Sequence, residues 1–181
     1  MKKLSLEGLN FSTTEINIKN KIMTITLDRP EKKNAMNNVM MNEINYLLAY
    51  AKQEKDIRVV VFAANGDIFC AGADLSRTES KSNVPRLENS DDISLSLRHL
   101  YKPVICKIQG PVLAGALLIV SNATHAIAVD EATFSAPEIH RGLWPFMVMA
   151  GLFRVMPKRA GLDFIMRGKP INSQKAMKLS L

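Results

Sequence analysis

Alternation of polar and apolar side chains marks the first elements of the chain. Residues 14–19 and 22–27 both alternate, and two polar residues lie between them. Two alternating runs joined by so short a turn predict a β-hairpin. Pro30 has no N–H to donate to a sheet, so we expect the second strand to end before it. Asn37 is then placed to cap a helix that continues to about residue 52.

Beyond this helix, short apolar runs alternate with helical patterns. We predict strands at residues 59–63, 104–108, 125–129 and 132–135. We predict helices that begin near Asp91 and Asp92, that cover residues 114–122, 144–155 and 157–166, and that end with a short helix capped by Ser173. Strands that alternate with helices indicate an α/β fold. Because no repeat or linker interrupts the pattern, we expect residues 1–181 to form a single domain.

A polar segment at residues 76–90, broken by Pro85, separates the two halves of this pattern. Such a segment is typical of a lid over a binding site, and equally of a plain surface loop. Its sequence does not identify the group that it would contact.

Composition and charge narrow the class of protein. The 181 residues are 47% hydrophobic, contain two cysteines, and carry a net charge of +7. Residues 151–181 hold seven basic side chains against one acidic side chain. This excess could attract the phosphates of a nucleotide-like cofactor or of nucleic acid, although a solvated helix face is the commoner explanation. Aromatic residues for stacking bases do not interleave with these charges, so we do not expect a nucleic-acid partner.

The cysteines and the apolar runs indicate the cellular compartment of the protein. Cys70 and Cys106 lie in apolar or strand-like contexts and form no CxxC pair, which argues against a disulfide framework. Lys2 and Lys3 open the chain, but the apolar stretch of a signal peptide does not follow them, and no apolar run approaches the length of a membrane span. We therefore expect a soluble cytoplasmic protein with no membrane partner.

Two turns rich in small residues carry the candidate chemistry. Residues 71–73, which read Ala-Gly-Ala, follow the strand at 59–63, and residues 110–116 follow the strand at 104–108. Small residues let the backbone approach a ligand and present its N–H groups. Two such turns could each aim one N–H at a single oxygen, as in an oxyanion hole. The alternative is a tight loop before a packed helix.

Three runs of residues, in this order, resemble the crotonase family of enoyl-CoA hydratases and isomerases. They are ITLDRPEKKNAM at residues 25–36, FCAGADL at residues 69–75 and APEI at residues 136–139. The resemblance extends from about residue 22 to Leu181. It implies a ββα spiral of stacked repeats around a site for a coenzyme A thioester, and a homo-oligomer, either a trimer or a hexamer. Family members usually continue with several more helices, so the resemblance also implies that the C-terminal helical segment of the family is lacking after Leu181.

The resemblance also implies roles for individual residues. The oxyanion donors would be the N–H groups of Ala73 and Gly115, the latter at the positive end of the helix predicted at residues 114–122. The residues expected to bind coenzyme A are Lys32, Ala71, Ala73, Asp74, Leu75 and Gly115. We expect no permanently bound cofactor, because coenzyme A enters as part of the substrate. No HExxH or paired-cysteine motif is present, so we expect no metal site.

Glu138 is the residue that we expect to carry protons, because an apolar neighbourhood raises a carboxyl pKa toward the range of a general base. The alternative is a surface glutamate. In crotonase hydratases a second glutamate helps to split water, and Leu118 stands at that position here. One glutamate is sufficient to shift a double bond, so we predict an isomerase-type or hydratase-type enzyme of fatty acid metabolism, with isomerisation favoured. The alternative is a non-catalytic protein that binds coenzyme A esters or serves in assembly.

Overall fold

The computed structural model describes residues 3–76, 82–87 and 92–181. It confirms the α/β class. The strands of the described part are β1 (Thr14–Lys19), β2 (Ile22–Leu27), β3 (Val59–Ala64), β4 (Val104–Ile108), β5 (Val112–Leu113), β6 (His125–Ala128), β7 (Thr133–Ser135) and β8 (Ile171–Asn172). The α-helices of the same residues are α1 (Asn38–Gln53), α2 (Ile93–Arg98), α3 (Leu117–Asn122), α4 (Phe146–Leu152), α5 (Lys158–Arg167) and α6 (Ser173–Lys178). The 3-10 turns of the described part lie at Pro30–Lys32, Ala114–Ala116 and Pro137–Arg141.

The larger sheet has five strands in the order β1-β2-β3-β4-β6. The predicted hairpin is confirmed, since β1 and β2 pair antiparallel from Thr14 opposite Leu27 to Lys19 opposite Ile22. Asn20 and Lys21 turn the chain with φ angles of 52° and 65°. The remaining neighbours pair in parallel, as expected where helices connect successive strands.

Helix α1 covers one face of this sheet. It begins where the sequence predicts, because the Asn37 side chain accepts a hydrogen bond from the Met40 N–H at 2.8 Å. Side chains of α1, among them Ile44 and Leu47, are fully buried in one continuous core with alternate residues of β2. The alternation of the strand and the periodicity of the helix therefore meet in one apolar layer.

A smaller sheet of three strands, in the order β5-β7-β8, lies where the chain forms its candidate site. Strand β5 runs parallel to β7, with Leu113 opposite Ser135, and β8 runs antiparallel to β7. The sequence did not predict β5 or β8, because two residues are too few to show an alternating pattern.

Other predicted bounds need correction. The helix predicted at residues 114–122 is a 3-10 turn followed by α3, and the helix predicted at 144–155 is the shorter α4. Asn172, not Ser173, caps α6, because its side chain accepts from the Lys175 N–H at 2.9 Å. Asp92 caps α2, whereas Asp91 lies outside the described residues.

The polar segment at 76–90 is described only at residue 76 and at residues 82–87, so its predicted role as a lid lies mostly outside the described residues. The described part is anchored to the N-terminal segment. The Asn83 side chain accepts from the Asn10 N–H at 2.6 Å and donates to the Gly8 carbonyl at 3.0 Å. Among the helices of residues 3–76, 82–87 and 92–181, none is both long and apolar enough to cross a membrane.

Candidate active site

Three segments of the chain run side by side at the candidate site. Met36 forms a parallel bridge with Ala73, and Cys70 forms a parallel bridge with Val112. Hydrogen bonds from Ala71 N–H to the Lys33 carbonyl at 3.0 Å, and from Leu113 N–H to the Cys70 carbonyl at 3.0 Å, continue the pairing on both sides. The stretch 69–74 is therefore held between residues 33–36 on one side and residues 111–115 on the other.

This pairing determines the direction of the Ala73 N–H group. The Met36 N–H donates to the Gly72 carbonyl at 2.7 Å, and the Asp74 N–H donates to the Met36 carbonyl at 2.9 Å. Because the neighbours of Ala73 make both bonds, the N–H of Ala73 itself faces the opposite side, as alternation along a strand requires. That side holds Gly115, since a methyl group built on Gly115 would lie 3.5 Å from Ala73 N.

Neither of these two N–H groups is used inside the described part of the protein. No hydrogen bond of residues 3–76, 82–87 and 92–181 has Ala73 N–H or Gly115 N–H as its donor. Unpaired backbone donors are rare unless water or a ligand completes them. The structure thus brings together the two residues that the sequence predicted as donors, with free N–H groups in neighbouring turns.

Gly72 makes this close approach possible. Its φ of 90° favours glycine, and a methyl group at this position would lie 2.9 Å from Gly115 N and 2.8 Å from the Ala114 side chain. A side chain at position 72 would therefore push the second turn away from the first. Gly115 lies in the 3-10 turn before α3 and not in the first turn of an α-helix. The prediction that Gly115 lies at the positive end of a helix over residues 114–122 is therefore wrong.

Glu138 lies at the same edge of the smaller sheet as Gly115. Strands β5 and β7 are parallel, and the chain leaves both at their carboxyl ends. Gly115 follows Leu113 by two residues, and Glu138 follows Ser135 by three, after Pro137 has started a 3-10 turn. Parallel pairing of Leu113 with Ser135 therefore directs both residues to one edge.

The Glu138 carboxylate has an unusual environment. Its Oε2 atom is buried and has no hydrogen-bond partner among the described residues. Burial raises the pKa of Glu138, and its own backbone N–H offsets this only in part. A partly buried carboxyl group with one unused, buried oxygen and a raised pKa is suited to accepting and returning a proton.

Leu118 occupies the position where a second carboxylate was considered. It lies in α3, one helical turn after Gly115, and it is partly buried. Its Cδ2 atom is close to α4, because a methyl group built on Gly151 would lie 3.4 Å from it. Position 118 thus presents an apolar side chain toward the neighbouring helix.

The strip of other predicted binding residues comprises Ala71, Asp74 and Leu75, on the segment that carries the Ala73 donor, and Lys32, next to Lys33, whose carbonyl accepts from the Ala71 N–H. Ala71 is partly buried, and Leu75 is 74% exposed. Lys32 is exposed in the first 3-10 turn. The Asp74 carboxylate is occupied by protein groups, because it accepts from Ser76 and from Arg29. Binding of coenzyme A at these positions remains a prediction.

A buried network beneath the strip was missed from the sequence. Asn34 is fully buried and donates to the carbonyls of Asn65 and Ile68, both at 2.8 Å. Its own carbonyl accepts from the Cys70 thiol at 3.0 Å. Burial raises the pKa of Cys70 to about 12, so this cysteine is a structural hydrogen-bonding group. The sequence signal available for this network was Asn34 itself, because asparagine at the end of a polar run is typical of a turn.

Arg29 has no role assigned to it in the sequence predictions, but its side chain reaches the candidate site. It is 5% exposed, and its Nη1 atom lies 2.9 Å from the Asp74 carboxylate, whose side chain is 8% exposed. His140, in contrast, is exposed and its Nε2 atom lies 3.2 Å from the Gly168 carbonyl. Within the described residues, no group of three or more His, Cys, Asp or Glu side chains could hold a metal ion.

Comparison with known proteins connects this arrangement to a family. The family model for enoyl-CoA hydratase/isomerase matches residues 17–181. The chain belongs to the enoyl-CoA hydratase/isomerase, or crotonase, family. The resemblance found from the three sequence runs is thereby confirmed.

Individual relatives agree with this assignment. The chain is 27% identical over 160 residues to human mitochondrial enoyl-CoA hydratase domain-containing protein 3. It is 30% identical over 183 residues to the trans-2-decenoyl-[acyl-carrier-protein] isomerase of Streptococcus mutans. Its structure matches that of an enoyl-CoA hydratase from Mycobacterium smegmatis with a TM-score of 0.83 and 25% identity, over 93% of this chain and 67% of that chain.

The matches cover this chain more fully than they cover the relatives. The human protein matches 86% of this chain, but this chain spans 53% of its length. For the streptococcal isomerase the shares are 96% and 69%. The residues aligned with these relatives therefore correspond to between about half and two thirds of their length.

Proposed function

We propose that this protein binds an acyl-CoA thioester, stabilises its enolate and shifts the double bond of an enoyl-CoA by a one-base mechanism. The observation that carries the proposal is the unpartnered Oε2 atom of Glu138 at the sheet edge where the free N–H groups of Ala73 and Gly115 lie. A base and two donors are the minimum set that this reaction requires.

The reaction follows from these groups. Glu138 removes a proton from the α-carbon of a 3-enoyl thioester, and the electron pair moves into the thioester carbonyl. The negative oxygen accepts hydrogen bonds from Ala73 and Gly115, each of which would contribute about 10²–10³-fold to the rate. Glu138 then returns the proton at the γ-carbon, and the carbonyl reforms with the double bond between the α- and β-carbons.

Leu118 supports isomerisation over hydration. Adding water requires one group to activate it and another to protonate the α-carbon, and each such group contributes about 10²–10⁴-fold. An apolar side chain at position 118 supplies neither function. The isomerase activity in the name of the streptococcal relative is consistent with this preference.

The streptococcal relative also bears on the carrier of the thioester. Its name places the acyl group on an acyl carrier protein, so that carrier is the second candidate beside coenzyme A. We keep coenzyme A as the proposed carrier because the partly buried Ala71 and the exposed Leu75 and Lys32 offer space for a long, flexible ligand. On this proposal the protein needs no permanently bound cofactor, and we expect it to work as a homo-oligomer.

The experiment is to incubate short 3-enoyl-CoA and 2-enoyl-CoA separately with the protein in D₂O and to follow both by NMR. Glu138→Gln removes the base, and Glu131→Gln is the matched control, because Glu131 is an exposed carboxylate just before β7. We expect conversion of the 3-enoyl isomer to the 2-enoyl isomer in the wild type and in the control only. The same incubation with 3-enoyl acyl carrier protein tests the carrier.

Two other outcomes would contradict the proposal. A 3-hydroxyacyl product would show that hydration proceeds with Leu118 in place. Binding of acyl-CoA without turnover of either substrate, unaffected by Glu138→Gln, would favour the non-catalytic protein that binds coenzyme A esters.

A further inference from the structure

A buried ion pair links the two segments that position the Ala73 donor. Arg29 and Asp74 are 45 positions apart in sequence, and their side chains are 5% and 8% exposed. The Nη1 atom of Arg29 lies 2.9 Å from Asp74 Oδ2 and also donates to the Ala35 carbonyl. One guanidinium group therefore contacts both segments.

The contacts lie directly beside the bridge that orients the donor. Ala35 precedes Met36, Asp74 follows Ala73, and Met36 and Ala73 are the bridged residues. Arg29 thus holds a backbone carbonyl on one side of the bridge and a carboxylate on the other. A change in the length or angle of this connection would slide residues 33–36 along residues 71–74 and turn the Ala73 N–H.

The Asp74 carboxylate is fixed at its other oxygen as well. Oδ1 accepts from the Ser76 hydroxyl at 2.6 Å and from the Ser76 N–H at 2.9 Å. The hydrogen bonds from the Ser76 hydroxyl and N–H, together with the one from Arg29, hold the pKa of Asp74 at about 2, so the group remains charged over the working range. Asp74 is consequently a fixed anchor for Arg29.

Stability alone does not account for such a pair. Buried ion pairs are often no more stabilising than apolar side chains of the same volume, because both charges lose their hydration. What a planar guanidinium adds is a fixed geometry, since its N–H groups point in set directions. That property matters most where a donor must be placed to a fraction of an ångström.

We propose that Arg29 is a positioning residue that, through Asp74 and the Ala35 carbonyl, aligns the Ala73 N–H with the substrate oxygen. The inference rests on the proposed function, because it assigns a means of alignment to one of its two donors. Arg29 itself contacts no substrate in this proposal.

The test compares Arg29→Lys and Asp74→Asn with the wild type. Lysine keeps the charge of Arg29 and loses the planar fork, whereas asparagine keeps the shape of Asp74 and loses its charge. Arg167→Ala is the matched control, because Arg167 and Asp163 form an Arg–Asp pair at 2.7 Å that is 67% and 54% exposed. The measurements are kcat, KM for 3-enoyl-CoA, and the infrared carbonyl band of bound ¹³C-labelled butyryl-CoA.

We expect kcat to fall about 10- to 100-fold in both variants, since misplacement by about 1 Å can cost 10²-fold. We expect KM to stay within about threefold, because most of the ligand is bound elsewhere. The carbonyl band, which the oxyanion donors shift to lower frequency, should move back toward its position in free butyryl-CoA. Arg167→Ala should change none of the three quantities.

Several outcomes would overturn the inference. These are an unchanged kcat and band in both folded variants, an effect confined to KM, or loss of folded protein in both, which would make the pair a stability element. A wild-type protein that shifts the band without turnover would contradict the proposed function and leave the inference to be decided by the variants' bands. A wild-type protein that does not shift the band would refute the inference itself.

Discussion

Replacing Gly72 by alanine is the sharpest perturbation of the site, because the structure separates its two costs. The first cost is conformational, since Gly72 has a φ of 90°. An L-residue in the left-handed region costs about 1–2 kcal/mol. The second cost is steric, because the new methyl group would lie 2.8 Å from the Ala114 side chain and 2.9 Å from both Gly115 N and the Leu113 carbonyl oxygen.

Two of these three neighbours are backbone atoms, which cannot rotate away as a flexible side chain can. Overpacking of this kind costs about 1–3 kcal/mol. Together the two costs give a loss of about 2–5 kcal/mol in the free energy of unfolding. Because small domains have about 5–15 kcal/mol in total, enough folded protein should remain for assay.

Gly8→Ala provides the control for the conformational cost alone. Gly8 has a φ of 72°, and a methyl group there would meet nothing within 4 Å. Urea denaturation of both variants gives the steric cost of Gly72→Ala as the difference between them. Turnover should be lowered about 10- to 100-fold in Gly72→Ala, since the displaced atom is the Gly115 donor, and it should be unchanged in Gly8→Ala.

The reasoning would be refuted if Gly72→Ala were no less stable than Gly8→Ala and retained full turnover. In that case the two turns would be free to separate by several tenths of an ångström without consequence. The closeness of Ala73 and Gly115 would then not be a requirement of the site.

Three further predictions concern single side chains. Burial raises the pKa of Glu138, so its charged form lowers the free energy of unfolding above the folded pKa and has no effect below the unfolded pKa of about 4.3. Glu138→Gln should therefore raise the urea midpoint at about pH 8 and not at about pH 4. An equal gain at both pH values would contradict this. Lys102 donates to the carbonyls of Ala51, in the last turn of α1, and of Glu54 and Ile57 beyond it. Lys102→Met should therefore cost about 1.5–3 kcal/mol by thermal denaturation, and replacement of the exposed Lys55 by methionine should cost little. The buried Glu43 carboxylate accepts from the backbone N–H groups of residues 12 and 13, so Glu43→Gln should accelerate amide hydrogen exchange there; unchanged protection would show that other contacts hold the segment.

The sequence predicted the elements that depend on residues close together in the chain. The hairpin at Asn20 and Lys21 and the cap at Asn37 depend on side chains within a few residues, and the structure confirms both. Strands β5 and β8 have two residues each, and they exist because distant segments pair with them. Asn172 and Ser173 are both good capping residues, so the sequence could not decide which of them precedes α6.

The candidate site likewise combines features that the local sequence predicts with contacts between distant segments that it does not predict. Small residues at positions 71–73 and 115 signalled two turns with available N–H groups, because only small side chains allow such an approach. Arg29 gave no signal of its contact with Asp74, since a turn that ends a strand explains an arginine next to proline without any distant partner. An ion pair between segments 45 positions apart leaves no local pattern to detect.

The two buried thiols can report on local opening of the native protein. Burial raises the pKa values of Cys70 and Cys106 to about 12, so neither forms an appreciable amount of thiolate near neutral pH while the structure is closed. Alkylation can then proceed only through fluctuations that expose each sulfur, and its rate measures the free energy of that opening. Cys70 would report on the segment that carries the donors, and Cys106 on the middle of β4, so the ratio of their rates would tell whether the candidate site opens separately from the sheet beneath it.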